Sequence, residues 1–271
     1  MLKFALPLIA LAQLSLGGLT ALAQQAERSM DELEQDCMEG DAEACGFVGY
    51  YYAREVTPST DETDELSTAY YFAGCTTGDF YSCAGLGEAY LEGRGIDQDR
   101  IQALDLLDVA CDEGILGACE ISGYEYANGD PDNPDFRLAF ERMSMACSDT
   151  RPRACGELGR FMFNGQGTSR DLEGGMDLLE QACDGGYGES CKNLSLIYGG
   201  DYNKPEDMRT AFTYAQMGCE VGHADSCERA GDIARHGNLI LDENSTAVMA
   251  RYYDMACEGG LWTACAKLES E

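Results

Sequence analysis

Histidine and basic residues are scarce in this chain of 271 residues. Its two histidines, His223 and His236, supply few imidazole ligands, which disfavours a zinc or copper enzyme. Lysine and arginine together number 18 against 49 acids, so the net charge is −31. A nucleic-acid backbone or an anionic membrane surface attracts clustered basic side chains instead. We therefore expect neither as a partner, and we predict no metal or other cofactor.

Long apolar runs are absent beyond the N-terminal residues, which disfavours membrane insertion. Residues 4–19 are mostly apolar and follow Lys3, and Ala21-Leu22-Ala23 has the small-x-small pattern of a cleavage site. This pattern predicts a secretory signal peptide over residues 1–23, and the short apolar run disfavours the alternative of a membrane anchor. We expect residues 24–271 to reach the periplasm or the cell exterior, where disulfides persist.

Cysteine, in contrast, is abundant and regularly spaced. Successive first cysteines lie 36 or 38 residues apart, a period typical of a solenoid of stacked repeats. Zinc sites use shorter spacings and reduced cysteines, so the even count and the predicted export favour disulfides. The fourteen cysteines form seven C-x7-C pairs: Cys37/Cys45, Cys75/Cys83, Cys111/Cys119, Cys147/Cys155, Cys183/Cys191, Cys219/Cys227 and Cys257/Cys265.

The residues around each cysteine pair predict a pair of helices. Glycine, which ends helices readily, stands three residues after the first cysteine in every pair but the fourth, where Thr150 replaces it. Alanine or serine stands before each second cysteine, and small or apolar residues follow it at helical spacing. The sequence therefore predicts an all-α, α/α superhelical solenoid of about 36 residues per repeat, forming one domain over residues 24–271. One disulfide would tie the two helices of each repeat.

These residues resemble a known repeat family. The run from Cys83 through Gly87, Tyr90 and Gly93 to Gly95, followed by Ala103-Leu104 and Ala110-Cys111, is similar to the Sel-1-like repeat. The C-x7-C pair in every repeat resembles its cysteine-rich secreted branch, the Helicobacter cysteine-rich protein family. The resemblance implies a fold related to tetratricopeptide repeats. It also implies either an adaptor that binds proteins or peptides, or a penicillin-binding protein with weak β-lactamase activity.

The motifs of known β-lactamases are missing. The serine enzymes need S-x-x-K, but Glu189, Asp201 and Ala264 stand three residues before the lysines that could complete it. A metallo-enzyme needs several histidines, and two cannot supply them. His223 is interpreted as an ordinary loop residue and His236 as a helix-terminal one. The catalytic residues of any hydrolase activity are therefore unknown from the sequence.

The acidic segment 130–135 does not match a calcium-binding loop. Such a loop needs glycine at its sixth place, where Asp135 stands. We therefore predict a solvated turn, with Pro134 opening the next helix.

Candidate binding residues stand five positions after the second cysteine. One set of helices lines the concave side of a stacked solenoid, so residues at this place are expected to form a row there. We predict a monomeric, exported scaffold that binds a protein, a peptide (a basic one is a candidate) or a peptidoglycan fragment. The alternative is β-lactam binding with slow hydrolysis. The predicted binding row is Tyr50, Glu88, Tyr124, Arg160 and Asp232.

Overall fold

The computed structural model describes residues 28–200, 207–236 and 245–269. The described residues fall into two compact units, one within residues 1–118 and one within residues 119–271. A π-helical turn, Tyr51–Glu55, follows the second helix. The described α-helices number fourteen: α1 Met30–Met38, α2 Ala42–Tyr50, α3 Asp61–Thr77, α4 Phe80–Glu92, α5 Arg100–Asp112, α6 Leu116–Asn128, α7 Phe136–Ala146, α8 Pro152–Asn164, α9 Leu172–Asp184, α10 Gly188–Tyr198, α11 Met208–Glu220, α12 Ala224–His236, α13 Ser245–Glu258 and α14 Trp262–Glu269.

Most helices begin at a polar cap. Ser29 and Glu32 form a reciprocal capping box at the start of α1, as their spacing predicts. Aspartates cap four successive odd-numbered helices at a period of 36 residues, each accepting backbone N–H groups of the first turn. One of them corrects the sequence interpretation of α7. Pro134 does not open this helix, because Asp135 is its cap and accepts the Leu138 N–H at 2.9 Å, so the helix starts at Phe136.

Helix ends follow the glycine pattern. The six glycines that stand three residues after a first cysteine all have positive φ, between 83° and 104°, which glycine adopts without strain. The fourth repeat lacks this glycine, and α7 ends one residue before its cysteine, with Cys147 in an extended conformation. The glycine pattern therefore predicts the helix ends correctly in six repeats, and in the fourth the helix ends before its cysteine.

The disulfides join the two helices of each repeat. The Cα–Cα distance is 4.5 to 4.8 Å in six of the bridges: Cys37–Cys45, Cys75–Cys83, Cys147–Cys155, Cys183–Cys191, Cys219–Cys227 and Cys257–Cys265. Cys111 and Cys119 are disulfide-bonded as well, and no described cysteine is free. Each bridge closes a ring of about nine residues, worth about 2.6 kcal/mol if its effect is the lost entropy of the unfolded chain.

Neighbouring repeats interlock through a large and a small residue. Four positions before each first cysteine lies a buried side chain. Four positions after the second cysteine of the repeat before it lies a small residue, which is a glycine in five of six cases and packs against the next repeat there. A Cβ on Gly49 would lie 2.7 Å from the Tyr71 ring, and one on Gly231 would lie 2.5 Å from the Tyr253 ring. In one repeat the small residue is Ser195, and there the partner position holds Ala215, the smallest of the series. The two positions therefore share a fixed volume between helices.

None of the described helices is long and apolar enough to span a membrane.

Candidate functional site

A groove of about 560 Å³ lies in the unit formed by residues 119–271. Four successive repeats contribute to it: α6 and α8 supply one wall, and the turns that precede α10 and α12 supply the other. Its lining consists of Tyr124, Asn128, Glu157, Arg160 and the segments 187–189 and 221–223. A cavity of this volume is of the size that proteins use for ligands or peptide side chains.

Glu157 anchors one wall of the groove. Its side chain is buried, with the residue only 7% exposed, and both carboxylate oxygens have partners. Oε1 accepts a hydrogen bond from the Tyr187 hydroxyl at 2.9 Å, and Oε2 accepts two from the Arg160 guanidinium at 2.8 and 3.0 Å. Arg160 also donates to Gln166 at 3.0 Å and lies 4.6 Å from the centre of the Phe161 ring. These bonds hold Arg160 and Tyr187 in fixed positions.

Glu189 organises the opposite wall. Its Oε1 lies 2.7 Å from Lys192 Nζ, and its Oε2 lies 3.1 Å from His223 Nε2. The hydrogen bond to His223 is the main reason that the pKa of Glu189 falls to about 2, with Lys192 adding to the effect and burial opposing it. Glu189 therefore stays ionised over the pH range in which proteins are commonly handled.

His223 links this wall to the start of α12. Its Nδ1 lies 2.9 Å from Ser226 Oγ and accepts the Ser226 backbone N–H at 3.3 Å. Serine, histidine and Glu189 are thus in one hydrogen-bonded chain, which is the set of groups that nucleophilic hydrolases use. Here the Ser226 hydroxyl is fully buried, so no substrate can reach it. The arrangement is a helix cap rather than a nucleophilic site.

Tyr187 departs from the capping pattern of the other serine-containing repeats. Where serine precedes the second cysteine, the residue three positions earlier caps the helix: Asp79 accepts the Ser82 hydroxyl, and His223 bonds Ser226. Tyr187 occupies this place before Ser190 but directs its hydroxyl to Glu157 in the groove. As a result, the buried Ser190 hydroxyl has no hydrogen-bond partner among the described residues.

The free-energy cost of tyrosine at position 187 follows from two known magnitudes. A lost side-chain cap costs about 1 kcal/mol. A buried polar group without a partner costs about 1–3 kcal/mol. The pKa of Tyr187 is raised, mainly by burial and then by the Glu157 charge. Local rules of stability are broken most often at functional sites, so Tyr187 marks the groove as a candidate site.

The structure distributes the predicted binding row over several places. Tyr124 and Arg160 line the same groove. Tyr50 is exposed, and Glu88, which accepts a hydrogen bond from Arg54 at 2.8 Å, is partly buried; both lie in the unit formed by residues 1–118. Asp232 accepts hydrogen bonds from Tyr253 at 2.7 Å and Lys267 at 2.6 Å, outside the groove lining.

Eight of the ten groove residues were not among the predicted binding residues, and these include Glu157, Tyr187, Glu189 and His223. A signal for two of them exists in the sequence. The residue four positions before each second cysteine is Asp41, Asp79, Ile115, Arg151, Tyr187, His223 or Leu261, and Tyr187 and His223 are the aromatic members. As for metals, no group of three or more cysteine, histidine or acidic side chains in the described ranges is placed to bind an ion.

Comparison with known proteins places the repeats in a family. The Sel1 repeat matches four segments, residues 80–115, 116–148, 152–187 and 188–223, which together cover just over half of the chain. No curated protein matches the sequence. Among the solved structures that share the fold are two with sequence identities below 20%.

The first of these structures is c5321, described as a protective antigen of uropathogenic Escherichia coli strains displaying an SLR fold. It is 18% identical, with a TM-score of 0.72 over 89% of this chain and 51% of the antigen, so the chain spans about half of the antigen's length. The second is a Sel1 repeat protein from Oxalobacter formigenes, 19% identical, with a TM-score of 0.70 over 87% of this chain and 90% of that one. With its matched repeats, its paired helices and its regularly spaced disulfides, the chain belongs to the Sel1 repeat family.

Proposed function

We propose that this protein is an exported binding scaffold and that the groove holds a segment of a partner protein. Tyr187 carries the proposal, because its hydroxyl supports the groove while the buried Ser190 hydroxyl lacks the bond that a capping residue would give it. Selection for stability alone would favour aspartate at this place, as in Asp79. The tyrosine is therefore explained best by a task at the groove.

The repeats and disulfides support the remaining parts of the proposal. Stacked repeats build binding surfaces from several successive units, and the groove draws on four of them. Disulfides throughout the described chain favour an oxidising compartment outside the cytoplasm. We propose that residues 1–23 direct export and that residues 24–271 act as one repeat domain, monomeric, in the periplasm or outside the cell.

The experiment is a selection of random dodecapeptides, displayed on phage, against the oxidised protein. The enriched clones are then tested for binding to Tyr187→Asp. We expect clones that bind the natural protein and fail to bind this variant, because aspartate cannot hold the position of Glu157 and Arg160 or supply the ring. A selection in which every clone binds both proteins equally, or in which none is recovered, would contradict a peptide-binding groove.

β-Lactam hydrolysis is the alternative that the cysteine-rich branch implies. The hydrogen-bonded chain of Ser226, His223 and Glu189 does not support it, because its hydroxyl is buried. The measurement is turnover of a chromogenic cephalosporin by the oxidised protein, with reduced, unfolded protein as control. Turnover that disappears on reduction would favour the hydrolase and direct mutagenesis to the groove.

A further inference from the structure

The charged groups of the groove are already paired with one another. Both oxygens of Glu157 are occupied by Arg160 and Tyr187, and both oxygens of Glu189 by Lys192 and His223. The chain as a whole carries 31 more negative than positive charges. Despite this excess, each of the two groove carboxylates has a lysine or arginine of its own.

This pairing disfavours a charged ligand at the centre of the groove. A basic side chain would have to displace Arg160 or Lys192 from its carboxylate, and each of these contacts is 2.8 Å or shorter. An acidic side chain would meet the negative field of the whole chain and would compete with carboxylates that are already in place. An uncharged ligand meets neither cost. It can still accept from the Arg160 N–H groups that Glu157 and Gln166 do not use, and donate to the Tyr187 hydroxyl oxygen.

The two ends of the groove are apolar. Tyr124 is 40% exposed and Val221 is 49% exposed, so each presents an apolar surface to solvent. Arg153 lies over the Tyr124 ring at 4.6 Å from its centre and supports it from one side. Tyr124 lies on α6, in the third repeat, and Val221 in the turn before α12, in the sixth. The charged pairs of the fourth and fifth repeats thus lie between two apolar contacts.

We infer that the groove takes an extended polypeptide segment that is uncharged over its central residues and has an apolar side chain toward each end. A backbone offers alternating N–H and C=O groups, which suit a strip that contains both donors and carboxylates. Apolar side chains at the two ends would cover Tyr124 and Val221. This inference rests on the proposed function and specifies the chemistry of the partner.

The sequences recovered in the phage selection test the inference directly. We expect enriched clones with two apolar residues that flank a stretch without Lys, Arg, Asp or Glu. A synthetic peptide of the best clone should bind with a Kd that changes less than about twofold between low and high salt, because no net charge is neutralised. Its versions with a central Lys or a central Asp should each bind about tenfold more weakly, the loss typical of a central contact.

Variants of the protein locate the ends of the peptide. Tyr124→Ala and Val221→Ser should each weaken the best peptide about tenfold, with unchanged circular dichroism. Tyr81→Ala is the matched control, because Tyr81 is an exposed aromatic residue in the unit formed by residues 1–118. It should leave the affinity unchanged.

Each contrary result has a separate meaning. Enriched clones with central charges that depend on Tyr187 would overturn this inference and leave the binding groove in place. Clones that bind equally well to Tyr187→Asp would overturn the proposed function itself. Saturable binding of soluble glycans from digested peptidoglycan at Tyr124, with no peptide selected, would overturn the choice of a polypeptide.

Discussion

Tyr187 is the residue at which the stability of a helix and the construction of the groove conflict. The start of α10 loses the side-chain cap that Asp79 gives to α4, and the buried Ser190 hydroxyl loses its partner. In exchange, Glu157 gains a fixed hydrogen-bond donor and the groove gains an aromatic ring. The effect of each change at this position can therefore be predicted from the residue that replaces tyrosine.

We predict that Tyr187→Asp is more stable than Tyr187→Ala by about 1–2 kcal/mol, because only aspartate can cap α10 and accept the Ser190 hydroxyl. Both variants lose the ring and the bond to Glu157, so these losses cancel in the comparison. Urea unfolding of the oxidised proteins measures the difference. In a Ser190→Ala background the difference should shrink, and an unchanged difference would show that Ser190 plays no part.

Glu189 gives a prediction for acid stability. Its pKa in the folded protein, about 2, lies below the ordinary value of 4.5. A lowered pKa stabilises the fold above pH 4.5, and this contribution is lost as the pH falls from 4.5 to 2. Glu189→Gln should therefore lose less unfolding free energy than the natural protein over this interval, as measured by urea unfolding at pH 5 and pH 2.5. Since Glu189 is about one-third exposed, solvent screening reduces the effect.

Glu113→Gln serves as the comparison for that experiment. Glu113 is exposed at the end of α5, in the unit formed by residues 1–118, so its substitution removes the same charge without touching the groove. An equal acid sensitivity of Glu189→Gln and the natural protein would contradict the assignment of a lowered pKa to Glu189.

Single residues also show what the sequence could and could not predict. The cysteine period predicted the repeats, and the glycine pattern predicted the helix ends, because both depend on local geometry. Tyr124 and Arg160 were placed on one face by their register, and they do line one groove. The roles of Tyr187 and His223 depend on which neighbour each side chain bonds, Glu157 in one case and Ser226 with Glu189 in the other. Repeat register alone does not carry that information.

At the scale of helices, adjacent repeats are matched by volume. A glycine on one helix faces a bulky side chain on the next, as at Gly49 with Tyr71 and Gly231 with Tyr253. The tyrosines therefore need glycine opposite them. The space beside each glycine therefore limits which helix can pack next to it in the array.

A double-mutant cycle tests the matching. Gly231→Ala should cost about 1–3 kcal/mol, because the new methyl group would lie 2.5 Å from the Tyr253 ring. In a Tyr253→Ala background, which is itself destabilised, the same change should cost little or nothing, since the ring is gone. The measurement is the free energy of unfolding of the four proteins. Additive costs would show that the ring and the glycine do not share one volume.

At the scale of the whole molecule, stability is divided among repeats. Each repeat packs mainly on its neighbours in sequence and carries its own disulfide, so the stability of an array approximates a sum of local contributions. The net charge of −31 adds an electrostatic repulsion to which many repeats contribute. Loss of one bridge should therefore have an effect that depends on its place in the array.

We predict that Cys257→Ser with Cys265→Ser loosens α14 and leaves the groove protected. Removal of the interior pair by Cys183→Ser with Cys191→Ser should lower the hydrogen-exchange protection of both neighbouring repeats. The reason is that α9 and α10, which this disulfide joins, form an interface with the repeat on each side. Each change should cost about 2.6 kcal/mol by the chain-entropy treatment. Native-state hydrogen exchange locates the loss. Equal loss of protection throughout the chain in both variants would contradict a divided stability.

The separation of only eight residues between bonded cysteines has a consequence for biogenesis. When a chain enters an oxidising compartment from its N-terminus, the first cysteine to emerge meets its native partner before any other. Oxidation in order of emergence thus gives the native pairing, and an oxidase can complete each hairpin without an isomerase to correct it. A protein with fourteen cysteines allows very many wrong pairings, yet this one needs only to pair each thiol with the next.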